Sequence, residues 1–174
     1  MIALVTGGGG FLGQALTTRL LARGWEVRSL TRTHQPDLQK AGVDARRGDI
    51  IDREAVSHAV KGCDIVFHTA AKAGVWGNPK EYYDINVQGT GNVISACQVH
   101  GVGRLVYTSS PSVVFSGGNM EGVNESAPYP EFFTAHYPRT KALAEKLVIQ
   151  ADSGDLAVTS LRPHLIWEIG RAHV

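Results

Sequence analysis

Cysteine is scarce in this chain. The two present, Cys63 and Cys97, stand apart, with neither a Cys-x-x-Cys pair nor metal-ligand spacing. A disulfide framework is therefore unsupported, and two small buried hydrophobes in a reducing compartment are expected. Excess charge of one sign is missing too, since 17 Lys and Arg stand against 16 Asp and Glu. So even a balance offers no electrostatic footprint for nucleic acid or an anionic membrane. No apolar run approaches the ~20 residues of a membrane span. Ile2–Val5, ahead of a glycine cluster, is too short for a signal-peptide core, and a cytoplasmic location is expected. No His, Asp and Glu cluster has metal spacing, so no metal is expected. Internal repeats and low-complexity segments are absent as well.

What is present suits one soluble domain. The 174 residues are 43% hydrophobic and 19% charged, enough to bury a core and too apolar for disorder. Apolar runs alternate with breaker clusters. Ile2–Val5, Glu26–Thr31, Asp44–Arg47, Asp64–Thr69, Arg104–Ser109 and Leu156–Leu161 read as strands. Between them, Phe11–Leu21, Ile51–Val60, Lys80–His100 and a segment starting near Tyr137 read as helices, with Gly24, Gly62 and Gly101 as stop signals. Strands alternating with helices imply parallel pairing through right-handed crossovers, hence an α/β doubly wound parallel sheet of the Rossmann type. In such sheets a ligand crevice opens beyond the carboxyl ends of the strands.

Two stretches carry chemistry. Thr6-Gly7-Gly8-Gly9-Gly10-Phe11-Leu12-Gly13 joins the first strand to the first helix. There Gly7 permits a tight turn, Gly10 lets the backbone approach a pyrophosphate, and Gly13 lets the helix pack close to the sheet. The helix start, at Phe11 and Leu12, would offer unpaired N–H groups to phosphate oxygens. The second stretch is Tyr137-Pro138-Arg139-Thr140-Lys141. Pro138 suits a first helical turn, so Tyr137 and Lys141, four apart, share a face. An ammonium beside a phenol favours the phenolate and lowers a pKa otherwise about 10. That would make Tyr137 a proton donor near neutrality.

The Thr-Gly-x-x-Gly-x-x-Gly spacing, combined with Tyr137-x-x-x-Lys141, resembles the extended short-chain dehydrogenase/reductase family over nearly the whole chain. The resemblance implies roles for particular residues. Ser110 is the hydroxyl that fixes a substrate oxygen, Tyr137 the acid or base, and Lys141 the holder of the nicotinamide ribose. Asp49 and Ile50 contact the adenine, while Thr69, Ala70 and Ala71 wall the nicotinamide ribose. Asn86 matches the family's helix asparagine, Ser109 neighbours the cofactor, and the backbone at Pro163 meets the carboxamide. The implied cofactor is NADP or NAD. At the end of the second strand, Leu30-Thr31-Arg32 lacks the family's NAD-selecting carboxylate. A guanidinium at Arg32 can pair with a 2′-phosphate, which favours NADP. His68 and His136 read as structural.

"LVYTSSPSVVF", "HYPRTKALAE" and "LRPHLIW" resemble the 3β-hydroxysteroid dehydrogenase branch, and "AAKAGVWG" at Ala70–Gly77 looks like its members that reduce 2-alkyl-3-oxoalkanoates. This implies an oxidoreductase moving hydride between nicotinamide and the ketone or secondary alcohol of an apolar small molecule, with Val75 and Trp76 near the site. A sugar-nucleotide epimerase or dehydratase shares the fold and the Tyr/Lys pair, although dehydratases carry acidic residues where Pro111-Ser112 stand here. A non-catalytic NAD(P)-sensing protein is the alternative of another class. A homodimer stays open. The family pattern continues into a C-terminal substrate domain, which is expected to be missing here. Glu168–Val174, "EIGRAHV", matches an in-frame translation of a widely used sequencing adapter. The expectation is an NAD(P)-binding domain over 1–167 and a non-native tail over 168–174.

Overall fold

The computed structural model describes residues 1–164 and residue 166. Among them, β1 (Ile2–Thr6), β2 (Glu26–Thr31), β3 (Asp44–Arg47), β4 (Ile65–His68), β5 (Arg104–Thr108) and β6 (Ala157–Leu161) form one sheet ordered β3-β2-β1-β4-β5-β6. Every pairing is parallel. The helices are α1 (Phe11–Ala22), α2 (Pro36–Lys40), α3 (Arg53–Val60), α4 (Pro79–Tyr83), α5 (Gly89–Val99) and α6 (His136–Gln150). This is the expected doubly wound α/β sheet. Strand order reverses between β1 and β4, which places the crevice at their carboxyl ends.

Alternation along the strands builds two cores. In β1, Leu4 points to one face and Ala3 and Val5 to the other, and all three are fully buried. A strand covered on both faces needs no polar side, hence its unbroken apolar run. On one face Leu4, Val66 and Leu105 meet α3, α5 and α6 through Val56, Val93 and Val148. On the other, Val5, Val27 and Ile65 meet α1 and α2 through Leu20 and Leu38. Cys63 and Cys97 are free and buried. Burial pushes the Cys97 thiol up to about 12.

The structure departs from expectation in four elements. The helix expected over Lys80–His100 is wound as a π turn at Asp84–Gln88, between α4 and α5. Such a turn re-aims the side chains it carries, and Asn86 within it is buried. The helix expected from Ile51 starts at Arg53. Asp52 caps it, accepting from the N–H of Glu54 and Ala55 at 2.9 and 3.1 Å. The five-residue α2 and a 3-10 turn at Pro111–Val114 are too short to leave a periodic signal in the sequence. The tail at 168–174 lies outside the described residues. No helix among the described residues is long and apolar enough to cross a membrane.

Candidate active site

β1 ends at Thr6, and the chain turns at Gly7 with φ +71°, a conformation that disfavours every side chain. A Cβ on Gly13 would run into the Gly7 carbonyl and Gly8 Cα, so α1 can sit this close only with hydrogen there. Gly8 is equally constrained, because its Cβ would overlap the Ser29 hydroxyl on β2. Spacing alone assigned Gly8 no role, since the contact is made across strands. No side chain caps α1 at Gly10. The first-turn N–H groups of Phe11, Leu12 and Gly13 therefore keep their affinity for an anion. A diphosphate fits this turn.

A cavity of about 640 Å3 opens beside the turn. Gly7, Gly10, Asp49 and Ile50 line it, as do Thr69, Ala70 and Ala71. Ile50 is set by the start of α5, where a Cβ on Gly89 would come within 2.7 Å of its Cδ1. Thr69 is set by its hydroxyl, which donates to the Thr6 carbonyl at 2.7 Å. Arg32 lies exposed on the cavity rim. Arg47, at the end of β3, donates from Nε to the Arg32 carbonyl at 3.2 Å. Sequence reasoning missed this second guanidinium, because only the β2–β3 register puts it there.

Behind the cavity wall runs a buried polar chain with one consistent direction. The Thr90 hydroxyl donates to the Asn86 carbonyl at 2.6 Å, so it accepts from His68 Nε2–H at 3.0 Å. His68 Nδ1 then accepts from the Thr6 hydroxyl at 2.7 Å. Thr6 Oγ1 in turn accepts from the N–H of Thr69 and Ala70 at 3.2 and 3.3 Å. Burial, and then the Lys141 ammonium, hold the His68 pKa down to about 3. The imidazole is thus neutral and structural, as expected. Asn86 belongs to the same framework and does not line the cavity. Its Oδ1 accepts from Lys72 N–H at 2.7 Å, and its Nδ2 donates to the Lys72 carbonyl and the Thr140 hydroxyl at 3.1 and 3.0 Å. A buried amide must satisfy both ends, and here it brackets the loop after β4 onto α6.

Ser110, Tyr137 and Lys141 gather at the carboxyl end of β5. Ser110 lies two residues beyond β5 and caps the 3-10 turn, its Oγ accepting from Ser112 N–H at 3.2 Å and lying 2.8 Å from Ser112 Oγ. Tyr137 opens α6. Burial raises its phenol pKa, and a hydrogen bond from Ser110 works against that rise. The expected lowering by Lys141 is not what this geometry produces. Lys141 Nζ donates to the Thr108 carbonyl at 2.5 Å and sits 4.1 Å from the centroid of the Tyr107 ring. A buried ammonium must find acceptors, and the strand end supplies them. Burial holds the Lys141 pKa down to about 7, against a smaller upward pull from Glu145.

Ser109 and Pro163 make contacts that their place in the sequence does not reveal. The buried Ser109 hydroxyl donates to Glu145 on α6. Glu145 also accepts from the Tyr129 hydroxyl at 3.0 Å and from Arg162 Nε and Nη2 at 3.0 and 2.6 Å. Ser109 and Ser110 both meet α6, Ser109 at Glu145 and Ser110 at Tyr137, two turns apart. Pro163 lines a second cavity, of about 1120 Å3, with Ser112, Phe115 and Arg162. The Glu145–Arg162 cluster carries no motif that sequence reasoning could have read. Among the described residues, no group of three or more His, Cys, Asp or Glu is placed to hold a metal ion.

Strand order and the glycine turn define a Rossmann-type domain, with Ser110, Tyr137 and Lys141 near its β5 end. The chain belongs to the 3-beta hydroxysteroid dehydrogenase/isomerase family, whose model matches residues 4–173. It is 53% identical over 172 residues to the 2-alkyl-3-oxoalkanoate reductase of Stenotrophomonas maltophilia (strain K279a), covering 98% of this chain and 52% of that protein. It is 42% identical to the 3-beta-hydroxysteroid dehydrogenase of Mycolicibacterium neoaurum, covering 96% of this chain and 48% of that one. Among solved structures, MoeE5 in complex with UDP-glucose and NAD superposes with a TM-score of 0.79 at 34% identity, covering 93% of this chain and 54% of that one. The chain thus spans about half the length of these relatives.

Proposed function

We propose that the chain forms the cofactor-binding part of an NAD(P)-dependent oxidoreductase that interconverts a ketone and a secondary alcohol on an apolar small molecule. The observation that supports this best is the gathering of Ser110, Tyr137 and the buried Lys141 at the end of β5, in a sheet whose β1 ends in an uncapped glycine turn. A bound nicotinamide dinucleotide supplies or accepts the hydride. Gly7, Gly10 and the N–H groups of Phe11, Leu12 and Gly13 hold its diphosphate. Asp49 and Ile50 border the adenine, and Thr69, Ala70 and Ala71 border the far ribose. Arg32 and Arg47 favour a 2′-phosphate, hence NADP over NAD. Ser110 fixes the substrate oxygen while the Tyr137 hydroxyl gives it a proton on reduction, or takes one on oxidation. Lys141 holds the nicotinamide ribose.

The relative at 53% identity and the surface chemistry support this substrate class. Val75 and Trp76 are 64% and 90% exposed on the loop after β4, an apolar wall suited to an alkyl chain. Titration of the chain with NADPH and NADH tests the cofactor site, with NADPH expected to bind more tightly. Turnover of a long-chain 2-alkyl-3-oxo acid, a 3-ketosteroid and a UDP-sugar tests the substrate. The oxo acid is expected to lead. A UDP-sugar in first place would move the reading to epimerase chemistry, and dinucleotide binding with no turnover would move it to a sensor.

A further inference from the structure

Tyr107 is buried on β5, immediately before the Thr108 carbonyl that accepts from Lys141 Nζ. Its ring centroid lies 4.1 Å from that ammonium nitrogen. It lies 5.6 Å from the His68 ring, inclined by 41°. We propose that Tyr107 is the positioning residue that seats the Lys141 ammonium, through the face of its ring.

Lys141 has 2% of its surface exposed, so its charge has lost nearly all its water. One carbonyl satisfies one of its three N–H bonds. An aromatic face supplies the remaining electrostatic complement without a counter-charge. The hydroxyl of Tyr107 is not what is being used, because no hydrogen bond joins it to Lys141. His68 on β4 stays neutral between Thr6 and Thr90 and so brings no second cation against the ring. The titratable group that acts on Nζ from α6 is Glu145, whose charge is balanced by Arg162, while Tyr137 acts on Tyr107 itself. The seat holds the amine in place over the end of β5, one turn from Tyr137.

The test is an NMR titration of the lysine Cε resonance of the chain, with Lys141→Met identifying the signal. Tyr107→Phe keeps the ring face, and its Lys141 should bind protons within about a factor of two of wild type. Tyr107→pentafluorophenylalanine keeps the shape and reverses the ring's field, and should weaken proton binding by at least about tenfold. Identical titration of the fluorinated and native proteins would overturn the proposal. So would a change in Tyr107→Phe as large as in the fluorinated protein. The functional weight of the seat rests on Lys141 serving the dinucleotide, and NADPH titration separates the two claims. No binding by wild type would sink that reading, while the resonance still decides the seat. Binding by wild type with equal affinity in the fluorinated protein would overturn the seat's role.

Discussion

Replacing Lys141 by methionine should stabilise the folded chain at low pH and progressively less as pH rises. The lysine is buried, and its pKa falls from 10.5 to about 7 on folding. Below pH 7 both folded and unfolded states carry the charge, and the folded state bears the full desolvation penalty. At about 1.4 kcal/mol for each pKa unit, that penalty is about 5 kcal/mol. Between pH 7 and 10.5 the unfolded chain binds more protons than the folded one, so stability rises with pH through that window. The difference between wild type and Lys141→Met should therefore shrink by about 3 kcal/mol from pH 6 to pH 9.5. The Thr108 hydrogen bond, worth about 2 kcal/mol with a charged donor, is lost in the variant and offsets part of its gain at low pH. Urea unfolding of both proteins across that range measures the difference directly. Parallel stability profiles would refute the reasoning, because no buried amine could then be changing its charge on folding.

Other outcomes are equally open to measurement. Burial pushes the Glu145 carboxyl up, and its bonds to Arg162 and Ser109 bring it below its ordinary 4.5. Its contribution is complete above that value and is lost as pH falls through the lower folded pKa. Glu145→Gln should remove that acid limb, and Glu145→Ala should cost about 4 kcal/mol by leaving Arg162 unpaired, both read by denaturant unfolding. Gly13→Ala forces a methyl group into the Gly7 carbonyl and should cost about 3 kcal/mol and weaken dinucleotide binding; an unchanged Tm would contradict the close packing inferred there. Arg32→Ala should weaken NADPH binding about tenfold while leaving NADH nearly unchanged. Equal losses for both nucleotides would argue against a 2′-phosphate subsite.

Much of the fold was legible because its signals are local. The apolar run of β1 and the glycines that follow it mark a buried strand and a tight turn without any knowledge of partners. The π turn was not legible, since its hydrophobic pattern over Lys80–His100 is nearly that of a plain helix, and only the wedge of Asn86 between Lys72 and Thr140 reveals it. The candidate centre was half legible. Tyr137 and Lys141 announce a shared face by spacing, and Ser110 by its place at a strand end. Where their polar atoms point depends on acceptors from other elements, and Lys141 turns to Thr108 and Tyr107 rather than to the phenol. Ser109 and Asn86 went to structural bonds for the same reason, because a buried polar group takes whichever partner lies within reach.

The order of elements, the parallel pairing and the glycine turn were set by the chain's own periodicity and by glycine's freedom at Gly7. Tertiary structure decided which serine meets Tyr137, which carbonyl and ring hold the Lys141 ammonium, and that Arg47 joins Arg32. Periodicity encodes which face a side chain takes, and that is a property of neighbours in sequence. Hydrogen bonds and charge pairs depend on distances of a few ångströms between residues remote in the chain, and only packing sets those.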